Sequence, residues 1–294
     1  MLGLKDKKNY KSILAKLEDE FYSKYSLFVI TAAELEFYLS DNNKDSHTKI
    51  TEEIYSECHN SEIPIEKIIK EQGENQFEVI FPTFRYATET AKAIIRAREI
   101  ITEIASKYSE QAYLDSKPFN NRPASGLHIH ISIHNDELKN AFAKARDDEE
   151  TDYMIYSANG LCALMSESMI FFAPDKDDYT RYSIDEENLV NATEPLYVCW
   201  GGNNRSTSIR IPSSTINPNE RNIEHRVPCP NSDPYKVLAA IIVGIDYGID
   251  NKITEYPKIF GNAFDKQYKL TPLPKSLKEA KKAYKNSNIL KNIL

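Results

Sequence analysis

Cysteine is scarce in this sequence and never clustered: Cys58, Cys162, Cys199 and Cys229 are the only four in 294 residues, and no CxxC pair occurs. That excludes a structural zinc ribbon and fits reduced thiols better than a disulfide framework. Long apolar runs are missing too. The longest, around Val237 to Ile245, is too short to span a bilayer, and the opening MLGLKDKKNYKSILAKLEDE is charged throughout, with no apolar leader segment. A soluble, cytoplasmic protein without a membrane partner is expected. No long basic run is present, and 37 Lys+Arg against 44 Asp+Glu leave a formal charge of -7, so nucleic acid is not an expected partner. Repeats and low-complexity linkers are also absent. A hydrophobic content of 41% suffices for a globular core, which excludes disordered and fibrous classes and predicts one domain over residues 1–294.

What is present divides into strand-like and helix-like segments. Leu27 to Leu39, Phe77 to Phe81, Leu127 to His134, Ser206 to Pro212 and Asn222 to Val227 read as strands. The clearest helix places Ala91, Ile94, Ile95, Ile101, Ile104, Ala105 and Tyr108 at helical spacing, with charges on the other face. Two more helices fit Asn159 to Phe172 and Tyr235 to Ile249, the second opening just after Pro234. Strands interrupted by helices, with a hairpin-like pair late in the chain, predict an α+β fold with a mainly antiparallel sheet.

Four groups of residues carry chemistry. Residues two apart on a strand point the same way, so Glu34 and Glu36 share one face while Leu35, Phe37 and Leu39 take the other. Alone, such a pair is equally the polar face of an exposed strand. In GLHIHISIH, Leu127, Ile129, Ile131 and Ile133 alternate with His128, His130, Ser132 and His134, which puts half of the six histidines on one strand face. Neither HExxH nor a Cys-rich partner accompanies them, and the acids elsewhere suit a hard, oxygen-preferring ion rather than zinc. A third group, Glu71-Gln-Gly-Glu-Asn-Gln-Phe-Glu78, is a Gly-containing loop leading into a strand, or simply an acidic turn. In the fourth, NNRSTSIRIP and NIEHRVP place Arg205, Arg210, Glu224 and Arg226 on two short strands, an arrangement that exposed hairpins also carry.

Taken together and in this order, AELEFYL, EQGENQFEV, KPFNNRPASGLHIHISI, a helix ending FFAP, NRSTSIRIP, IEHRVP, NSDPY and LPKSLKEA resemble the glutamine synthetase family from about residue 10 onward. The resemblance implies an ATP-dependent carboxylate–amine ligase working through an acyl phosphate, with Mg²⁺ or Mn²⁺ in at least two sites. It implies Glu36, Glu71 and Glu78 as ligands of one metal, and Glu34, His128 and Glu224 as ligands of the other. His130, Ser132 and Arg210 match nucleotide-contacting positions, Arg205 and Arg226 match arginines at the transferred phosphoryl group, and Arg181 in DYTRY matches the arginine that grips the amino acid's carboxylate. ATP, an amino-acid carboxylate such as glutamate, and an amine are the implied partners.

Departures from the family pattern shape the remaining expectations. Thr193 stands where a flap glutamate binds ammonium, with Glu194 one position out of register; Pro123-Ala124 replaces an Asn-Gly pair, and Asn219 a lysine. Two motifs resemble the γ-glutamyl-polyamine synthetase branch more closely, so an organic amine is expected, with Tyr182, Tyr197 or Trp200 contributing apolar walls; the alternative is ammonia, with Glu194 swung into the flap position. The family's N-terminal β-grasp domain and terminal helices have no counterpart in the sequence, which predicts a monomer or small homo-oligomer, or a separate chain supplying the missing module. A reading from another class is a degenerate homologue that binds nucleotide or a partner protein without turnover.

Overall fold

In a computed structural model of the chain, residues 8–144, 149–183, 194–213 and 217–294 are described. Strand Phe28–Leu39 (β1) is the frame on which the rest is assembled. Among the described residues nine strands form one sheet, in the order Lys258–Ile259 (β10), Trp200–Gly201 (β7), Ile209–Arg210 (β8), Ile223–His225 (β9), Leu127–His134 (β5), β1, Gln76–Ile80 (β3) and Lys67–Lys70 (β2), with Ala112–Tyr113 (β4) also paired to β1. All neighbours are antiparallel except β10 with β7 and β7 with β8. Tyr197–Val198 (β6) and Thr271–Pro272 (β11) form a separate antiparallel pair.

Strand parity sorts the two faces of this sheet. Leu35, Phe37 and Leu39 of β1 and Leu127, Ile129, Ile131 and Ile133 of β5 are fully buried, each aliphatic side chain contributing roughly 1.5–3 kcal/mol. Helices Tyr10–Tyr25 (α1), His47–Asn60 (α2), Ala87–Lys107 (α3), Asp152–Ala163 (α4), Met165–Phe172 (α5), Pro234–Asn251 (α6) and Leu277–Asn286 (α7) form the helical part of the fold. α6 is apolar nearly all round because it is the central helix, touching α1, α3, α4 and α5. Asp233 caps it through Tyr235 N at 3.0 Å, with Pro234 at the first helical position. The α+β expectation therefore holds. No helix among the described residues is long and apolar enough to cross a membrane, and all four cysteines are free and buried.

Three element expectations need correction. The single helix expected over Asn159 to Phe172 is two, α4 and α5, because Leu164 leaves helical geometry at φ -96, ψ 5. The late strands shrink from Ser206–Pro212 to β8 and from Asn222–Val227 to β9. Before β8, the Thr207 hydroxyl donates to the carbonyls of Asn204 and Ile209 and the Ser208 hydroxyl to that of Tyr197, local bonds that compete with a regular ladder.

Candidate active site

Five neighbouring strands bring the expected residues into one band on the sheet face opposite the helices. Glu36 stands across from Glu78 in the β1–β3 pairing, Glu34 from His128 in β1–β5, His130 from Glu224 in β5–β9, and Arg210 from Glu224 in β8–β9. Directly opposed side chains lie about 5 Å apart at their Cβ atoms, so alternation along each strand and register between them create the cluster. Glu34, Glu36, Glu71, Glu78, His128, Glu224, Arg205, Arg210 and Arg226 all line one cavity of about 220 Å³. Glu71 reaches it from a tight loop closed by Gln76 N to Gly73 O at 3.1 Å and Glu71 N to Gln76 O at 2.9 Å. Gly73 is required there, since a Cβ would sit 2.0 Å from Tyr38 Oη.

The charges in this band are unevenly shared. Burial works against ionisation of Glu34, but hydrogen bonds from His128 and His130 outweigh it and hold the carboxyl well below the ordinary range. The contacts are His128 Nδ1 to Glu34 Oε2 at 3.3 Å and His130 Nε2 to Glu34 Oε1 at 3.1 Å. Burial opposes charge on His130 as well, yet Glu34 raises its imidazole to about 9. Glu224 is held down at about 2 against burial, chiefly by Arg226, whose Nη1 lies 2.6 Å from its Oε1; Arg210 pairs with the other oxygen. Glu78 goes the other way: burial, then the charges of Glu34, Glu36, Glu71 and Glu224, push it up to about 9. Burial also raises Glu36.

This donor set fits a divalent cation. Ligand atoms of Glu34, His130 and Glu224 lie within 4.8 Å of one another, and so do those of Glu34, Glu78 and His128. Carboxylates with one imidazole suit Mg²⁺ or Mn²⁺, and the crowding at Glu78 is a deficit of positive charge that such an ion would fill. Glu36 joins neither triplet; its Oε2 accepts from Gly126 N at 2.9 Å and Gln76 Nε2 at 3.3 Å, while its Oε1 faces His128 Nε2 at 3.8 Å. Glu71 lines the wall outside both; His128 Nδ1 lies 3.3 Å from Glu34 Oε2 and 3.5 Å from Glu224 Oε1, and His130 stands beside the same two acids.

His130 and Ser132 line an adjoining cavity of about 540 Å³ that shares Glu34 and Ile80 with the first. Arg181 is not on either wall. It is 3% exposed, and it donates through Nη1 to the carbonyls of Val227 (2.9 Å) and Pro228 (2.7 Å) and through Nη2 to that of Arg226 (2.9 Å). These bonds brace the segment after β9 with the Nη donors that the resemblance assigns to a substrate carboxylate. The aromatic walls are corrected. Tyr182 is buried with its hydroxyl on Val227 O at 2.7 Å, Trp200 is buried with Nε1 on Tyr256 O at 2.5 Å, and Tyr197 packs on Phe264. The apolar lining comes instead from Ile69, Ile80, Pro123 and Ala124.

One feature of the wall escaped sequence reasoning. Gln76 organises it: Oε1 accepts from Gly73 N at 3.0 Å and Tyr38 Oη at 3.2 Å, while Nε2 reaches Glu36, Ala124 O and Ser125 Oγ. Its parity with Glu78 on β3 was the available signal. Glu194 Oε1 accepts from Ala124 N at 3.4 Å, which ties this acid to the cavity wall. Thr193 lies outside the described residues.

Comparison with known proteins follows the same lines. The family model for the glutamine synthetase catalytic domain matches residues 18–294. Gamma-glutamylputrescine synthetase of Escherichia coli (strain K12) is 27% identical over 270 residues, covering 82% of this chain and 55% of that protein. Glutamine synthetase of Pyrococcus abyssi is 30% identical over 234 residues, covering 76% and 50%. Glutamate–isopropylamine ligase of a Pseudomonas species is 27% identical over 252 residues, covering 84% and 52%. The chain thus spans about half the length of these relatives. The solved structure of a GmaS/ADP complex superposes with a TM-score of 0.85 at 19% identity, over 97% of this chain and 69% of that one.

Proposed function

This chain belongs to the glutamine synthetase catalytic-domain family, and from that membership we propose that it performs ATP-dependent ligation of glutamate, or a related acid, to an organic amine. The observation that carries the reading is the band of Glu34, Glu36, Glu78, His128, His130 and Glu224 on adjacent strands beside Arg205, Arg210 and Arg226. In the first step a substrate carboxylate oxygen attacks the γ-phosphorus of ATP, and ADP leaves. In the second the amine nitrogen attacks the acyl carbon, phosphate leaves, and the nitrogen gives up a proton.

Glu34, Glu78, His128, His130 and Glu224 would hold Mg²⁺ or Mn²⁺, which supplies charge neutralisation at the phosphates when bound. The protein's own part is positioning. The three arginines face the same cavity and stabilise negative charge on the transferred group, and the second cavity, with His130 and Ser132, takes the nucleoside end. Glu194, whose Oε1 accepts from Ala124 N on the cavity wall, is the group we assign to take the amine's proton. Ile69, Ile80, Pro123 and Ala124 give an alkyl chain apolar surface that hydrated ammonium cannot use.

ADP release with glutamate and ammonia, isopropylamine or putrescine at equal concentration tests this reading. An alkylamine or polyamine is expected to give the higher kcat/KM. A clear preference for ammonia would overturn it. The locking of Arg181 onto carbonyls favours a second reading, nucleotide binding without turnover. ATP binding with no ADP release for any pair would select that one.

A further inference from the structure

Strand β5 ends in a hydrogen-bond relay that the ligase chemistry does not use. His134 Nδ1 lies 3.2 Å from Leu138 O, and His134 Nε2 lies 2.9 Å from Ser132 Oγ. A carbonyl can only accept, so Nδ1 carries the proton. Burial pushes the His134 imidazole down from its ordinary range, so near neutral pH the ring is neutral and Nε2 is bare. Its partner must then be the donor. The Ser132 hydroxyl, with one hydrogen, spends it on Nε2 and turns only lone pairs toward the cavity that both residues line.

The position of this group limits what it can meet. Ser132 lies four residues along β5 from His128, about 13 Å at strand rise, on the same face as the acid band. A nucleotide with its terminal phosphate at that band would bring its base, not its phosphates, to Ser132. Among the described residues lining this second cavity there is no Lys or Arg; Glu66 and Glu220 add acceptors, Asn222 spends its Nδ2 on Glu220 O at 3.0 Å, and Thr83 and Asn219 are the other polar side chains. Resting on the nucleotide reading of the site, we infer that His134 makes Ser132 an acceptor-only group, which selects a nucleobase with an amino donor, adenine over a 6-oxo purine.

Titration calorimetry with Mg²⁺ and ATP, ITP or 2′-deoxyATP tests the inference without needing turnover. Wild-type protein is expected to bind ITP roughly ten- to a hundredfold more weakly than ATP, the range for a site whose polar group loses its partner. His134→Phe keeps a ring against Phe28, which stacks on His134 at 6.4 Å, and frees the Ser132 proton. The ATP-to-ITP ratio should fall about tenfold in it, one hydrogen bond's worth. Equal affinity for ATP and ITP in the wild type, or an unchanged ratio in the variant, overturns the inference and leaves the nucleotide site standing. A loss with 2′-deoxyATP instead of ITP assigns the acceptor to the ribose and overturns it too. No binding of any nucleotide removes the functional reading and this inference together. Should His134→Phe not fold, ¹⁵N-histidine spectra of the wild type decide: a proton on Nδ1 supports the relay, and a proton on Nε2 refutes it.

Discussion

Glu78 sits 5% exposed among four other carboxylates, and burial followed by their repulsion raises its carboxyl to about 9. Glu78→Gln keeps the shape and removes that repulsion. Metal-free protein should gain on the order of 1 kcal/mol of stability while losing Mn²⁺ affinity, because sites built for ligands are kept at the expense of the fold. Thermal unfolding in EDTA checks the first half, and a lower melting temperature in the variant would contradict it. His225 is the converse case, on the core side of β9. It is 1% exposed, its ring packs edge-on to Phe172 at 4.7 Å, and burial lowers its pKa from 6.5 to about 3. The unfolded chain then takes up a proton that the folded one refuses. Stability from this group is complete above about pH 6.5 and is lost as the pH falls toward 3, reaching on the order of 2 kcal/mol at pH 5. His225→Leu should flatten the decline in melting temperature between about pH 7.5 and 5. A slope equal to wild type would show that other groups carry it. Sequence alone could assign a face to either residue, but not the depth at which each sits.

Elements were legible where one periodicity ran unbroken. β5 spans the residues its alternation predicts, and α3 and α6 extend only a few residues beyond theirs. The break at Leu164 was hidden because MSESMIFF continues an apolar helical pattern, and the turn depends on how α4 and α5 pack. The crossing of α4 and α6 shows the same limit. A Cβ on Gly248 would lie 2.1 Å from Tyr156 O and 2.8 Å from Gly160 Cα, so the two backbones meet through glycine. Helix propensity alone would make Gly248→Ala stabilising by about 1 kcal/mol. The clash with rigid backbone reverses the sign, and a loss of about 2 kcal/mol or more is expected. Denaturant unfolding measures it, and a neutral or stabilised variant would mean that the helices can separate without cost.

On the scale of the molecule, the sheet joins segments from early and late in the chain, with β9 between β8 and β5 and β1 between β5 and β3. A divalent ion bound across β3, β1, β5 and β9 would cross-link the folded state alone. Saturating Mn²⁺, at a hundred times its Kd, should therefore add about 2.7 kcal/mol, a rise in melting temperature of roughly 5–10 °C. EDTA should reverse it and Glu78→Gln should abolish it; an unaltered melting curve would refute the site. The sequence by itself determined the α+β class, the shared faces of Glu34 with Glu36 and of His128 with His130 and Ser132, and the family. Side-chain parity repeats every two residues and needs no partner strand to be known. Only the tertiary structure decided that His130 stands beside Glu224, that Arg181 is spent on carbonyls, that Ile69, Ile80, Pro123 and Ala124 replace the expected aromatic wall, and that His134 takes the Ser132 proton. Those outcomes depend on strand register and on burial, which packing between distant segments sets.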